Sequence, residues 1–340
     1  MSTMKKSLVM NGLVVFLGIL AILLNLISCK KTENPIKFPK GTFPDTTINL
    51  TDINSVYDDL NTDIYVLLDD VFILFSSNRG STGGQFDLFQ GLLTYVFDQT
   101  SGEFGLGCEI AQEAYLTNLI NAANTDGDDL GPYTLFSTVD GYQYLLLSSA
   151  STGGDLDLNY FKNIPVAGGG LPDIQGPFPV TLLNTGADDA YISCDTNQDS
   201  VYFCSNYEGN FDIYLKQRTG ETDLATWFNG AYSAPVKIDS LQSPGEDKCP
   251  FVFRKVMVFA SDRPGGLGGF DLYYSEFKKG KWSTPVNFGP GFNTSYDEYR
   301  PVVGYHTDFK NNFIIFSSNR PEGKGGYDLY FRGITFPDTR

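Results

Sequence analysis

FSSNRPEGKGGYDLYF, residues 316–331, is the clearest of five versions of one stretch of sequence in this chain. Each version has an apolar residue, small residues, a glycine-containing turn, and an Asp followed by Leu or Ile among aromatic residues. The other four versions lie at 75–89, 147–161, 203–214 and 259–274. The aligned aspartates, separated by 70, 55, 59 and 57 residues, are Asp87, Asp157, Asp212, Asp271 and Asp328. A repeat of this length, built from short strands and glycine turns, predicts one four-stranded propeller blade per copy.

The two ends of the repeat region predict how the propeller closes. Only GITFPDTR (333–340) follows the third strand of the last copy, whereas residues 40–59 align with 279–298, which close blade four. We therefore predict an all-β, five-bladed propeller in which residues 41–50 form the outer strand of blade five. This closure removes exposed sheet edges. Six blades are the alternative, because the first interval between copies is the longest.

The 70-residue interval also contains a segment with a different pattern. Residues 109–124, EIAQEAYLTNLINAAN, are rich in good helix formers and place their apolar residues roughly on one face. They predict a helical insertion in the connection between blades one and two.

The N-terminus has the pattern of an export signal. Lys5 and Lys6 precede an apolar run at 8–27, and Leu26-Ile27-Ser28-Cys29 resembles a bacterial lipobox. That resemblance implies that 1–28 is a lipoprotein signal peptide and that Cys29 becomes the lipid-bearing, palmitoylated N-terminus. An uncleaved membrane anchor is the alternative. Residues 29–40 then form a lipidated tether and 41–340 the propeller, with outer-membrane delivery favoured by the lysine after the cysteine.

Composition narrows the partners. The formal net charge of −16 argues against a nucleic-acid partner and against adsorption on an anionic membrane surface, which leaves the lipid as the membrane attachment. The remaining cysteines are irregularly spaced, which does not fit a zinc site, and their disulfide pairing stays open: Cys108, Cys194, Cys204 and Cys249. The single histidine, His306, gives little support for a Ser-His-Asp site.

A pair of acidic residues opens the innermost strand of every predicted blade. The pairs are Asp58-Asp59, Asp128-Asp129, Asp188-Asp189, Glu246-Asp247 and Asp297-Glu298. A ring of them around one mouth of the channel would attract a cation such as Ca²⁺ or a basic segment of a partner. The alternative is structural, since Asp before a strand caps local backbone N–H groups, and one of each pair can brace the neighbouring blade. We predict no metal site, no catalytic residues and no cofactor, with Ca²⁺ the alternative.

The aspartate of the repeated motif is also expected to be structural. We predict that it accepts charge-assisted hydrogen bonds across the turn, in the pairs Asp87–Arg79, Asp271–Arg263 and Asp328–Arg320.

The motifs SSNR or ASDR, then GG, then FDL or YDL, resemble the WD-like propeller repeats of the TolB type over residues 41–340. The resemblance is weaker in blade two, where Ala150-Ser151 replaces Asn-Arg, and in blade three, where Tyr207 replaces Arg. It implies a non-enzymatic outer-membrane lipoprotein that binds a protein or a cell-surface glycan within an envelope complex, on either face of that membrane. The alternative function is a glycan-cleaving hydrolase that uses carboxylates at the channel mouth.

Overall fold

The computed structural model describes residues 35–336 except 68–69, 151–153, 167, 169 and 221. The predicted signal peptide, Cys29 and most of the tether lie outside these residues. Two units are present. In the first, residues 35–39 meet a turn at 98–102, where the backbone N–H groups of Lys37 and Phe38 donate to the carbonyl of Gln99. The second unit comprises 40–97 and 103–336 and contains every strand. No helix in the described parts of the chain is long and apolar enough to cross a membrane.

Five antiparallel sheets form the blades of a propeller, which confirms the predicted fold. Blade one contains β2 (Asp59–Leu67), β3 (Asp70–Ser77), β4 (Asp87–Phe97) and β5 (Phe104–Ile110), and blade two contains β6 (Asp129–Phe136), β7 (Gln143–Ser149), β8 (Asp157–Ile164) and β9 (Asp173–Pro179). Blade three contains β10 (Asp189–Cys194), β11 (Ser200–Ser205), β12 (Asp212–Gln217) and β13 (Val236–Lys237). Blade four contains β14 (Asp247–Phe253), β15 (Val256–Ser261), β16 (Asp271–Lys278), β17 (Lys281–Trp282) and β18 (Val286–Asn287).

Blade five is completed from the other end of the chain. It contains β19 (Glu298–Gly304), β20 (Asn312–Ser318), β21 (Asp328–Ile334) and the N-terminal β1 (Ile48–Asn49), which pairs antiparallel with β21. The strand is shorter than the predicted 41–50, but the segment before it is also fixed, because Phe43 N donates to Asn311 Oδ1 at 2.8 Å. Phe43 packs against aromatic rings of blades five and one and so joins the first and last blades.

Two helices lie in the connections. Helix α1 (Ala114–Ala123) lies between β5 and β6, shorter than the predicted 109–124 because residues 109 and 110 finish β5. Its buried Leu116, Leu119 and Ile120 share a core cluster with Leu145 and Phe161 of blade two, which fixes the insertion on the sheet. Helix α2 (Leu224–Phe228) is capped by the carboxylate of Asp223, which accepts from Thr226 N.

The register places the acidic residues of each blade at one end. Asp59, which begins β2, lies opposite Ser77 at the end of β3, and Ser77 lies opposite Asp87, which begins β4. The same Asp-Ser-Asp or Glu-Ser-Asp row recurs in every blade. We call this the strand-start end of the propeller, because the first and third strands of each blade both begin there.

Candidate active site

The second acid of every predicted pair begins an innermost strand and is 0% exposed: Asp59, Asp129, Asp189, Asp247 and Glu298. Each accepts a hydrogen bond from the residue four positions before it. For example, Thr125 N donates to Asp129 at 2.6 Å and Thr294 N donates to Glu298 at 2.7 Å. These five carboxyls therefore cap the turns that enter the innermost strands, as the structural alternative expects.

The first acid of the pair joins neighbouring blades. The Oδ1 atom of Asp128 accepts from Phe86 N of blade one at 2.9 Å, and Asp297 accepts from Phe270 N of blade four at the same distance. Asp58 closes the circle by accepting from Tyr327 N of blade five at 2.8 Å. Asp188 accepts from Leu156 N in the same way, whereas Glu246 instead pairs with Lys248 at 2.5 Å. The ten acids lie at the strand-start end of their blades, and four of the five first acids accept hydrogen bonds from the backbone of the preceding blade.

The repeated arginines pair with the innermost acids, and the predicted pairs with the motif aspartates were wrong. Nη2 of Arg79 lies 2.5 Å from Asp59, and Nη2 of Arg320 lies 2.9 Å from Glu298. Arg263 makes the equivalent ion pair with Asp247. Each arginine comes two residues after the serine that lies between the two acids of its row. Its side chain points to the innermost acid, because that carboxylate is completely buried and an ion pair there is screened least by water.

Blade two departs from this pattern at two adjacent positions. Where blades one, three and five have an asparagine that donates to the first acid, and blade four has Asp262, blade two has Ala150. Where blades one, four and five have an arginine, its sequence has Ser151. Asp129 therefore has no ion pair among the described residues. Burial raises the pKa of Asp129 to about 6, against the hydrogen bonds from Thr125 and Ser149. Blade three loses only the arginine, and burial also raises the pKa of its Asp189.

Two partly exposed carboxyls at this junction, Asp128 of blade two and Asp87 of blade one, are poorly satisfied among the described residues. In the described part of the chain, Asp128 accepts one hydrogen bond, from Phe86 N, and Asp87 accepts one, from Gln85 Nε2 at 3.2 Å. By contrast, Asp271, the counterpart of Asp87 in blade four, accepts from Leu267 N, Gly268 N and Asn287 Nδ2. Desolvation raises the pKa of Asp87, and the neighbouring charge of Asp128 raises it further.

A recess lies beside residues 88–90 of β4, where α1 packs on that strand. Its volume is about 180 Å³, and Leu88, Gln90, Thr117 and Asn124 are among the residues that line it. Asn124 fixes the start of β4 by accepting from Leu88 N, the residue after Asp87. Gln90 is buried and both polar atoms of its side chain lack a partner among the described residues. The recess therefore has hydrogen-bonding capacity that the protein itself does not use.

Sequence reasoning missed one carboxyl that lies on an innermost strand. Asp63 is 2% exposed, and its Oδ2 accepts from Thr134 N at 2.7 Å and from Thr134 Oγ1 at 2.6 Å. Burial raises its pKa to about 6, against those hydrogen bonds and the charge of Arg300. The available signal was that the equivalent positions of the other blades hold Tyr133, Ser193, Phe251 and Val302. Because it is sealed from solvent, Asp63 cannot meet a large substrate.

The remaining predicted features lie elsewhere. Among the described residues no group of three or more His, Cys, Asp and Glu side chains is arranged to hold a metal ion. The four cysteines 108, 194, 204 and 249 are free thiols. Cys194 lies opposite Val201 and Cys204 lies opposite Ala190, so these two do not face one another. His306 lies in a turn and packs edge-on against Tyr95 and Phe309.

Comparison with known proteins gives matches in structure alone. No protein-family model and no curated protein sequence matches the chain. This chain shares its fold with glycoside hydrolases. A thermostable family-43 glycoside hydrolase superposes with a TM-score of 0.53 at 12% identity, covering 84% of this chain and 92% of that one. An α-L-arabinofuranosidase from Podospora anserina, in complex with cellotriose, gives 0.52 at 12% identity over 88% and 98%. An endo-arabinase from Bacteroides thetaiotaomicron gives 0.50 at 13% identity over 84% and 99%.

These matches correct two expectations. The interpretation of the repeats as a TolB-type envelope propeller was wrong, because the solved structures compared above are glycoside hydrolases. The expectation of a non-enzymatic scaffold fails with it, since it rested on that resemblance. The repeats were a sound guide to blade architecture, which depends on turn and strand chemistry, but the same architecture supports unrelated activities.

Proposed function

We propose that the chain is a glycan-cleaving hydrolase and that Asp87 and Asp128 form its acid–base pair at the junction of blades one and two. The observation that carries the proposal is that two partly exposed carboxyls meet at this junction, and that one of them, Asp128, lacks the asparagine that donates to its counterparts in blades one, three and five. At the other junctions the first acid of the pair accepts from an asparagine amide, as Asp58, Asp188 and Asp297 do, or forms an ion pair, as Glu246 does with Lys248. At this junction Ala150 stands in the asparagine position, and among the described residues the partly exposed carboxyls of Asp128 and Asp87 each accept a single hydrogen bond.

The chemistry of glycoside hydrolysis needs two carboxyl groups in different protonation states. Asp87 suits the acid, because desolvation and the neighbouring Asp128 raise its pKa and keep it protonated at higher pH than an ordinary aspartate. It would donate its proton to the glycosidic oxygen as the bond from that oxygen to the anomeric carbon breaks. Asp128 would accept a proton from the water whose oxygen bonds to the anomeric carbon. Exchange with solvent then restores both groups.

The recess beside β4 would receive part of the substrate. Its volume of about 180 Å³ and the polar side chains of Gln112, Thr117 and Asn121 in its lining suit the hydroxyl groups of a sugar unit. The structural neighbours include an endo-arabinase, an α-L-arabinofuranosidase and a hydrolase in complex with xylotriose. We therefore propose a polysaccharide that contains arabinose or xylose as the substrate class.

The test is release of reducing sugar from arabinan, arabinoxylan and xylan by the purified chain. Asp87→Asn should lower kcat by about 100-fold or more, the usual contribution of a general acid or base, and Asp128→Asn should do the same. Asp271→Asn is the matched control, because it changes the same motif position in blade four and should leave kcat within about twofold.

Two results would overturn the proposal. One is a folded wild-type chain that releases no sugar from any of these glycans above the level of the double variant of Asp87 and Asp128. The other is equal loss of activity in the Asp271 control, which would show that the motif aspartates act only through the fold.

We also propose that the enzyme is exported and attached to the outer membrane through a lipid on Cys29. The support is the basic start, the apolar run and the cysteine that follows Ser28. Radiolabelled palmitate should be incorporated into the wild-type chain and not into Cys29→Ser. Equal labelling of the wild type and of Cys29→Ser would place the lipid on another residue. A wild-type chain that remains unlabelled would exclude this attachment.

A further inference from the structure

All five innermost strands carry a bulge two residues after their buried acid. The register with the second strand shifts there in every blade. The first bulge residue has a left-handed backbone, with φ of 59°, 60°, 58°, 58° and 45° at Asn61, Gly131, Tyr191, Cys249 and Arg300. A bulge re-aims the side chain it carries. Five bulges at one level therefore determine what fills the centre of the propeller.

Contacts between blades that are not neighbours show that these side chains meet at the centre. Nη2 of Arg300, from blade five, donates to the carbonyl oxygen of Pro132 in blade two at 3.1 Å. The guanidinium of Arg300 also lies 5.5 Å from the ring centre of Tyr191 in blade three. A Cβ atom added to Gly131 would come within 2.5 Å of that ring, so a glycine is required for Tyr191 to occupy the centre.

Arg300 is a fully buried cation with little compensation. It is 0% exposed, and its Nε and Nη1 atoms have no hydrogen-bond partner among the described residues. No described carboxylate lies within 4 Å of it, and Asp63, which senses its charge, is held by Thr134 instead. The half-buried arginines of the repeat, such as Arg320, each have an ion pair. An unpaired buried guanidinium costs several kcal/mol.

Blade one contributes further unsatisfied groups at the same level. The Nδ2 and Oδ1 atoms of Asn61 and the Oγ1 atom of Thr62 are buried without partners among the described residues. Asn61 N donates to Ser317 Oγ of blade five, so the bulge of blade one lies against the blade that supplies Arg300. The amide and the hydroxyl add donors to those of the guanidinium.

We propose that the centre of the propeller is a binding site for a small monovalent anion, held by Arg300 with the bulge side chains of Asn61 and Thr62. A water molecule would satisfy hydrogen bonds but would leave the guanidinium charge uncompensated. A halide ion would accept the hydrogen bonds and also compensate the charge. The anion would contribute to stability by joining blades one and five at the axis, away from the proposed acid–base pair.

The probes are chloride and bromide. Thermal unfolding of the full chain is compared in sodium chloride, sodium bromide and sodium gluconate at equal ionic strength. A Kd of about 10 mM would shift the folding equilibrium about 20-fold in about 200 mM halide, which raises Tm by a few degrees. Arg300→Gln should abolish the difference between halide and gluconate. Arg254→Gln, which changes an exposed arginine, should preserve it.

Crystals grown in bromide provide a readout that does not depend on a folded variant. An anomalous peak within hydrogen-bond distance of Nε or Nη1 of Arg300 is the expected result. A wild-type Tm that is equal in all three salts, or density for ordered water only at this position, would overturn the proposal. So would a halide effect that persists in Arg300→Gln.

Discussion

Replacing Phe43 with alanine tests how the propeller is closed. Phe43 is 1% exposed, and its ring stacks on Phe309 with 3.8 Å between centroids and meets Phe331 of blade five edge-on. It also meets Tyr95 and Phe104 of blade one edge-on, so one side chain joins both sides of the seam. Truncating a buried phenylalanine costs about 3–5 kcal/mol. The upper part of this range applies here, because each aromatic contact adds to the burial term.

The measurement is urea denaturation followed by circular dichroism, with Tm as a second readout. We expect Phe43→Ala to lower the free energy of unfolding by about 4 kcal/mol and Tm by roughly 5–10 °C. Phe136→Ala is the matched control, since that ring is 50% exposed, and should cost under about 1 kcal/mol. If the two variants lose the same stability, the N-terminal segment does not hold the seam and the reasoning fails.

Three further changes test the acids and the central bulge. The pKa of Asp129 is about 6 in the folded chain and 3.8 when it is unperturbed, so the free energy of unfolding should fall as pH rises from about 3.8 to about 6. Urea unfolding should show that this fall is about 3 kcal/mol larger in the wild type than in Asp129→Asn. Arg320→Met should cost about 3–5 kcal/mol by stranding the buried Glu298, and the added change Glu298→Gln should recover part of it. Gly131→Ala should destabilise the chain by more than Gly141→Ala, as measured by calorimetry. Both glycines have positive φ, but only a Cβ at position 131 would collide with a neighbouring ring.

The blades and their closure were predictable because they depend on local chemistry that repeats. Glycine turns, alternating apolar strands and the row of acids recur five times, and a missing outer strand at one end matched a spare strand at the other. The predicted helix, 109–124, included residues 109 and 110, which form the end of β5 instead. Residues 109 and 110 have helix-forming neighbours, but pairing with β4 satisfies their backbone groups, and this outweighs their helix propensity.

The arginine partners could not be predicted from spacing. In the strand register, Ser77 lies between Asp59 on one side and Asp87 on the other. The sequence pattern alone therefore does not show which of the two acids an arginine two residues after Ser77 will contact. The choice depends on desolvation, which is complete at Asp59 and partial at Asp87. Burial of this kind is a property of the assembled blades. The same limitation hid Asp63, whose partner Thr134 comes from the next blade.

The positions that repeat and the positions that break the repeat have separate tasks. The buried acid that begins each innermost strand caps the turn before it, and four of the five first acids accept a hydrogen bond from the backbone of the preceding blade. Such contacts leave the carboxyls concerned with less free acceptor capacity. A binding or reacting group needs such capacity, so it must come from a blade in which a partner has been lost. Blade two has lost the asparagine that donates to the first acid, and its Asp128 lies near Asp87 of blade one, so that among the described residues each of these carboxyls accepts one hydrogen bond. Blade five has placed an arginine where the other blades carry uncharged bulge residues. The chemistry of this chain therefore follows from its departures from symmetry, at the junction of blades one and two and on the axis.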